Sequence, residues 1–164
     1  MPGGGPQQVV VAVDPGREKC GLAAVSREGV LDRAIVQTAD VARAVAGLAS
    51  RRGAAVIVVG SRTGSGQVLA ALEQAGLSLP VVTVEEHMTT LNARRRYWRE
   101  NPPGCLGRLV PEGMRLPPRP IDDYAAVLLA ERYLAGAADL KISPPHDNGG
   151  RTTRRPHDNG GRGR

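Results

Sequence analysis

Acidic residues occur at three separated places in the 164-residue sequence where they could meet around a metal ion. They are Asp14, which ends a Val-rich run, Glu85-Glu86 after the run at 80–84, and Asp122-Asp123 after Pro120. Carboxylates brought together repel one another unless a hard cation bridges them, and an oxygen-only set suits Mg²⁺ or Mn²⁺. Such ions activate a water and stabilise a leaving oxygen. The pattern therefore favours metal-dependent phosphodiester hydrolysis.

Two of these acids, Asp14 and Asp123, also have a simpler interpretation, whereas Asp122 is harder to explain in this way. Asp14 stands before Pro15-Gly16 and could only begin a turn. Asp123 lies in a first helical turn, where an acid complements the helix dipole. Strand alternation would put Glu86 on the face of Val82 and Val84 and turn Glu85 away, so only one of the two glutamates can face Asp14.

Arginine is concentrated between His87 and Pro120. This segment has seven arginines against two glutamates, in a chain with net charge +6 and a pI near 10.1. A basic block of this kind is typical of a protein with a polyanionic partner, here nucleic acid. Tyr97 and Trp98 lie in the same predicted helix, 88–100, and are more often core residues than base-stacking ones. The predicted contacts to nucleic acid are Lys19, Arg62, Thr89, Thr90, Arg94, Arg95, Arg96 and Arg99.

The elements that would position these residues alternate between strands and helices. Apolar runs predict strands at 9–14, 20–26, 30–36, 54–59 and 80–84, and helical periodicity predicts helices at 41–52, 68–75, 88–100 and 121–134. The first three strands are joined by connections short enough for hairpins, whereas each later strand follows a helix and must return parallel and right-handed. The sequence thus predicts an α/β fold with a mixed five-stranded sheet in the order 3-2-1-4-5, flanked by helices.

Composition indicates one domain, at 1–137, followed by a basic tail at 138–164. The tail contains the segment Pro-His-Asp-Asn-Gly-Gly-Arg twice and has too few apolar residues to fold, so we expect it to be disordered. Cys20 and Cys105 are too few for a finger-type zinc site. No apolar run is long enough to cross a bilayer, and the N-terminal residues do not resemble a signal peptide. We expect a soluble, cytoplasmic protein.

Three blocks of the sequence resemble the YqgF (RuvX) family of RuvC-like nucleases, which have a ribonuclease-H-like fold. They are Asp-Pro-Gly-Arg-Glu-Lys-Cys-Gly at 14–21, Glu-Glu-His-Met-Thr-Thr at 85–90, and Ile-Asp-Asp-Tyr-Ala-Ala at 121–126. The resemblance implies that Asp14, Glu86 and Asp122 are the catalytic, metal-binding acids. It also implies an endonuclease that processes precursor 16S ribosomal RNA, with resolution of Holliday junctions in branched DNA as the alternative.

Two features depart from that family. Gly60-Ser-Arg-Thr-Gly-Ser-Gly66 replaces its usual Gly-Leu-Pro, and Glu18 stands where a basic residue is common. The glycine-rich stretch also resembles the phosphate loop of universal-stress-type modules, which would bind a nucleotide without hydrolysing nucleic acid. Such a module requires a helix directly after its first strand, where this sequence predicts a second strand.

Overall fold

The structure is a computed structural model that describes residues 8–85, 89–111, 114–136 and 140–143. Its strands are β1 (Val9–Asp14), β2 (Lys19–Ser26), β3 (Gly29–Gln37), β4 (Ala54–Gly60), β5 (Val81–Val84) and β6 (Leu140–Ser143). Its helices are α1 (Val41–Arg52), α2 (Ser65–Gln74), α3 (Thr89–Glu100) and α4 (Asp122–Leu134), with short 3₁₀ turns at Thr38–Asp40 and Gly107–Leu109. Among these helices, none combines the length and apolarity that a membrane crossing requires.

The sheet has the order β3-β2-β1-β4-β5-β6. β1, β2 and β3 form an antiparallel meander, and β4 and β5 run parallel to β1. The predicted order 3-2-1-4-5 is therefore confirmed, with β1 inside the sheet. Its Val and Ala side chains are buried on both faces, which explains why the strand reads as one continuous apolar run.

β6 adds a sixth strand that the sequence analysis did not predict. Residues 140–143 were assigned to the disordered tail, but they pair antiparallel with β5, from Val84 opposite Leu140 to Val81 opposite Ser143. The disorder prediction does not hold for this segment, because Leu-Lys-Ile-Ser alternates apolar and polar residues as a strand does. The rest of the predicted tail lies outside the described residues.

Two hydrophobic layers cover the sheet. On one face α1 and α2 bury residues such as Val45 and Leu72 against Val11 and Val13 of β1. On the other face α4 packs Ala126, Val127 and Leu129 against alternate residues of β1, β2, β4 and β5. α3 packs on α4 through a separate cluster around Tyr97 and Tyr124. The arginine-bearing helix is thus held beside the face that α4 covers.

Candidate metal and nucleic-acid site

Asp14 is the last residue of β1 and lies on the α4 face of the sheet. Val10 and Ala12 belong to the core under α4, and side chains alternate along a strand, so Asp14 shares their face. The residue is only 4% exposed. A carboxylate is therefore held in the interior where the carboxyl ends of β1, β4 and β5 meet.

Gly21 positions the backbone of Asp122, the second predicted acid, over the strand next to Asp14. Gly21 pairs directly with Asp14 in the β1–β2 ladder. A Cβ atom at Gly21 would lie 2.0 Å from the carbonyl oxygen of Asp122 and 2.7 Å from the backbone nitrogen of Asp123. The first turn of α4 thus rests on β2 at the one position without a side chain. Because Gly21 is the direct partner of Asp14, the first turn of α4 lies over the strand that neighbours Asp14.

The turn after Asp14 is fixed by backbone contacts. A Cβ atom at Gly16 would lie 2.1 Å from the carbonyl oxygen of Lys19, so the turn closes only with glycine there. Thr38 holds the turn from the side: its hydroxyl donates to the Gly16 carbonyl at 3.0 Å, and its backbone N–H donates to Glu18 at 2.9 Å. Asp14 therefore precedes a tight, anchored turn and not a free loop.

The glycine-rich segment after β4 lies against this turn. Gly64 has a φ of 105°, and a Cβ atom there would be 3.5 Å from the Gly16 carbonyl oxygen. At the same end the Ser61 N–H donates to the carbonyl of Val84, the last residue of β5, at 3.0 Å. Lys19 and Arg62, both exposed and both predicted to contact nucleic acid, consequently flank the end of the sheet where Asp14 lies.

The third predicted acid, Glu86, lies outside the described residues. Glu85, which precedes it, is exposed, whereas Val82 and Val84 are buried under α4. Within the described parts of the chain, no group of three or more acids, histidines or cysteines is positioned to hold a metal. The structure places the backbone of Asp122 over the strand beside Asp14, and the shared metal site with Glu86 stays a prediction. Thr89 and Thr90 open α3, so the helix begins just after β5.

Asp14 and Asp122 fit a hard divalent cation. Mg²⁺ is commonly held by one or two carboxylates, with substrate phosphates completing its ligands, and both residues offer only oxygen. A cation held by both carboxylates would offset any repulsion between them. The chemistry of these two side chains is thus compatible with the predicted Mg²⁺ or Mn²⁺.

Asp123 has a structural role that sequence analysis missed. It is 4% exposed and accepts hydrogen bonds from both Nη atoms of Arg119 at 3.1 Å, while Arg33 Nε lies 3.6 Å away. Both guanidinium groups also lie over the Tyr124 ring, at 4.1 Å for Arg33 and 5.4 Å for Arg119. The hydrogen bonds to Asp123 raise the pKa of Arg119. Ion pairing, in addition to the helix dipole, explains why an acid is buried at position 123. The pair with Arg33 could not be predicted, because Arg33 is ninety residues away in sequence and no motif links it to Asp123.

Arg96 holds α3 on α4. Its Nη1 donates to both carboxylate oxygens of Glu131, at 2.7 and 2.6 Å, and its Nε donates to Glu100 at 3.0 Å. Burial opposes the charge, but these hydrogen bonds prevail and raise the pKa of Arg96. Although the sequence predicted Arg96 as a nucleic-acid contact, its guanidinium is engaged in this structural network. Arg94 is half-buried, and Arg95 and Arg99 are exposed.

The aromatic residues of α3 belong to the core. Tyr97 is 7% exposed and packs edge-on against both Trp98 and Tyr124, with ring centroids 5.1 and 5.6 Å apart. The Trp98 indole N–H donates to the carbonyl of Arg115 at 3.2 Å. Tyr97 is a core residue and Trp98 packs half-buried against the same cluster, so the prediction that the two rings are core residues and do not stack on bases is confirmed for their packing.

The sheet order, with helices on both faces, is that of the ribonuclease-H-like fold, and solved structures with this fold match the chain. RuvC from Thermus thermophilus in complex with a Holliday junction substrate matches with a TM-score of 0.54 at 18% identity. A second structure of Thermus thermophilus RuvC matches with a TM-score of 0.51 at 20% identity. Each match covers 83% of this chain and the whole RuvC chain. No family model and no curated protein matches the sequence.

Proposed function

We propose that this protein is a metal-dependent endonuclease that cleaves structured nucleic acid, of the YqgF (RuvX) type. The observation that supports the proposal is the seating of the α4 backbone on Gly21, directly opposite Asp14, so that α4 begins with Asp122 at the end of the sheet where Asp14 lies. The motif resemblance at 14–21, 85–90 and 121–126 supports the same assignment.

Asp14 and Asp122 would hold Mg²⁺ or Mn²⁺, with Glu86 as the proposed third ligand. A divalent cation bound there supplies activation of a water and stabilisation of the oxygen that leaves a phosphodiester. The protein's own contribution is positional. The turn at Gly16 and the first turn of α4 fix the two acids, and burial of Asp14 keeps its carboxylate away from bulk water.

Basic residues near the same end would hold the phosphate backbone. Lys19 and Arg62 flank the sheet end, and α3 starts just after β5 and carries Arg95 and Arg99 on its exposed side. These contacts would be insensitive to base sequence, because they are made to phosphates and not to base edges. Arg94, which is half-buried, would contribute less to phosphate binding. Arg96 would not contribute, because its guanidinium is paired with Glu131.

The proposed substrate is precursor 16S ribosomal RNA, which the motif resemblance favours. Branched DNA is the second candidate, because the RuvC structure that shares this fold over its whole length is in complex with a Holliday junction. The universal-stress alternative has lost its support, since β2 and not a helix follows β1.

Cleavage assays with matched acid variants test the proposal. With Mn²⁺ present, Asp14→Asn should abolish cleavage of both a precursor-rRNA fragment and a four-way DNA junction, because it removes a proposed metal ligand. Nucleic-acid affinity should persist, since it depends on the arginines. Asp123→Asn is the control, because Asp123 is engaged with Arg119 and should leave cleavage largely intact. Undiminished metal-dependent cleavage by Asp14→Asn would show that the proposal is wrong.

A further inference from the structure

The loop between α3 and α4 exposes a set of large apolar side chains. Leu106 is 83% exposed and Leu109 81%, and they are joined by Met114 at 74% and Leu116 at 71%. Single exposed apolar residues are ordinary, but four large ones within eleven positions of one loop make a candidate binding surface. We refer to Leu106, Leu109, Met114 and Leu116 as the apolar loop surface.

The described residues of this loop, 101–111 and 114–121, are held in place, although these side chains lie in solvent. The Arg115 guanidinium donates to the carbonyls of Val110 and Arg108, at 2.7 and 3.3 Å, and the Trp98 indole donates to the Arg115 carbonyl. A Cβ atom at Gly107 would lie 2.8 Å from the Cβ of Pro103, so the 3₁₀ turn between Leu106 and Leu109 packs closely on Pro103. The backbone that carries the apolar loop surface is therefore fixed by hydrogen bonds and close packing.

The position of the loop indicates what contacts it. It leaves the end of α3, the helix that carries Arg95 and Arg99, and returns to Asp122 at the candidate metal site. The exposed Arg108 stands between Leu106 and Leu109. A polyanion lying along α3 towards Asp122 would thus meet the loop, and the excess of arginine in this segment complements it.

We infer that the apolar loop surface contacts unpaired bases of a branched or interrupted nucleic acid, an inference that depends on the proposed function. In a continuous duplex a leucine or methionine side chain reaches a base face only by unstacking a base step, which costs about a few kcal/mol. At a junction or bulge the base faces are exposed, and apolar side chains inserted there are a known means of holding a distorted site. The surface would make the protein prefer interrupted substrates.

Equilibrium binding in EDTA, where no cleavage occurs, tests this inference. Three labelled substrates of equal length are compared: a continuous duplex, a duplex with a three-nucleotide bulge, and a four-way junction. Leu106→Gln/Leu109→Gln should weaken binding to the bulge and the junction roughly tenfold or more, and leave the duplex unchanged, because only unpaired bases bury the leucines. Both leucines are highly exposed, so the melting temperature should not change.

Two controls separate base contact from other causes. Val30→Gln/Leu31→Gln replaces apolar residues of β3 that are 38% and 39% exposed, and should alter none of the three affinities. Arg95→Ala/Arg99→Ala should weaken all three alike and reduce the salt dependence, because it removes phosphate contacts. A 2-aminopurine in the bulge should change fluorescence with wild type and not with the leucine variant.

Several results would overturn the inference. An unchanged preference for the bulge and junction in the leucine variant would show that the loop does not contact bases. Equal losses on all three substrates would do the same. A change in molecular mass by light scattering, with the preference intact, would show that the loop contacts a second copy of the chain. If wild type bound no nucleic acid, this inference and the proposed function would both fail, whereas binding without cleavage would contradict the proposed function alone.

Discussion

Gly21→Ala tests the arrangement that brings the two acids together. The added Cβ would lie 2.0 Å from the carbonyl oxygen of Asp122 and 2.2 Å from its carbonyl carbon. Ordinary contact begins near 3.4 Å, and these are backbone atoms that no rotamer change can move away. α4 would therefore have to shift by about 1.4 Å from β2, carrying Asp122 with it.

This shift should cost stability and metal affinity together. Overpacking of this kind costs about 1–3 kcal/mol, and a backbone clash belongs near the upper limit. For a chain of this size a loss of about 3 kcal/mol lowers the melting temperature by about 6–12 °C. Displacement of Asp122 should weaken Mn²⁺ binding by about 10- to 100-fold, the range found when supports of metal ligands are lost.

Differential scanning calorimetry and isothermal titration with Mn²⁺ provide the two measurements. The matched control is Gly66→Ala in α2, where a Cβ would meet nothing within 4 Å. The same substitution there should be neutral or stabilising, since alanine is the better helix former. A Gly21→Ala protein that melts within about 2 °C of wild type and binds Mn²⁺ equally well would refute the seating of α4 on β2, and with it the juxtaposition of Asp14 and Asp122.

Two further predictions concern ion pairs of α3 and α4. Asp123→Asn should destabilise the protein by about 1–3 kcal/mol in urea titrations, whereas Mn²⁺ affinity should not fall. The loss is smaller than for a fully buried pair because Arg33 and Arg119 are 32% and 42% exposed. A variant as stable as wild type would contradict the role assigned to Asp123. Partial burial opposes the shift, but hydrogen bonds from Arg96 and Arg33 hold the pKa of Glu100 below its usual 4.5. The folded state therefore binds fewer protons than the unfolded chain, so this contribution is complete above about pH 4.5 and is lost as the pH falls below it. Because Glu100 is 38% exposed, the loss of stability between pH 6 and pH 3.5 should be only about a few tenths of a kcal/mol. Urea titrations at the two pH values should show this loss in wild type and not in Glu100→Gln. Equal pH dependence of stability in the two proteins would contradict the role assigned to Glu100.

The strand order could be predicted because it depends on local information. Hairpin connections between β1, β2 and β3 leave no room for a crossover, and the helices before β4 and β5 require parallel return. β6 was missed because its four residues lie between a glycine-containing segment and a proline-rich one. Its pairing depends on the free edge of β5, which no local pattern reports.

The candidate site was predictable only in part. The position of Asp14 follows from the apolar run before it, and Asp122 from the start of a periodic helix. Their closeness depends on Gly21, which looked like an ordinary member of β2 because a missing side chain gives no periodic signal. Arg96 looked like a phosphate contact since its partner Glu131 lies on another helix. Long-range pairs of this kind are set by packing.

The direction of the strands determines where the described chain enters and leaves the sheet. β1, β4 and β5 all run towards the end that holds Asp14, so Val9 lies at the opposite end, paired with Ala54. β6 runs the other way and finishes at Ser143 opposite Val81, also at that far end. A surface tether or a bulky reporter joined before Val9 would start five residues, or roughly 17 Å, behind Asp14. One joined after Ser143 would start three residues, or roughly 10 Å, behind the end of β5. An immobilised protein would then present the candidate site to large branched molecules in the flow.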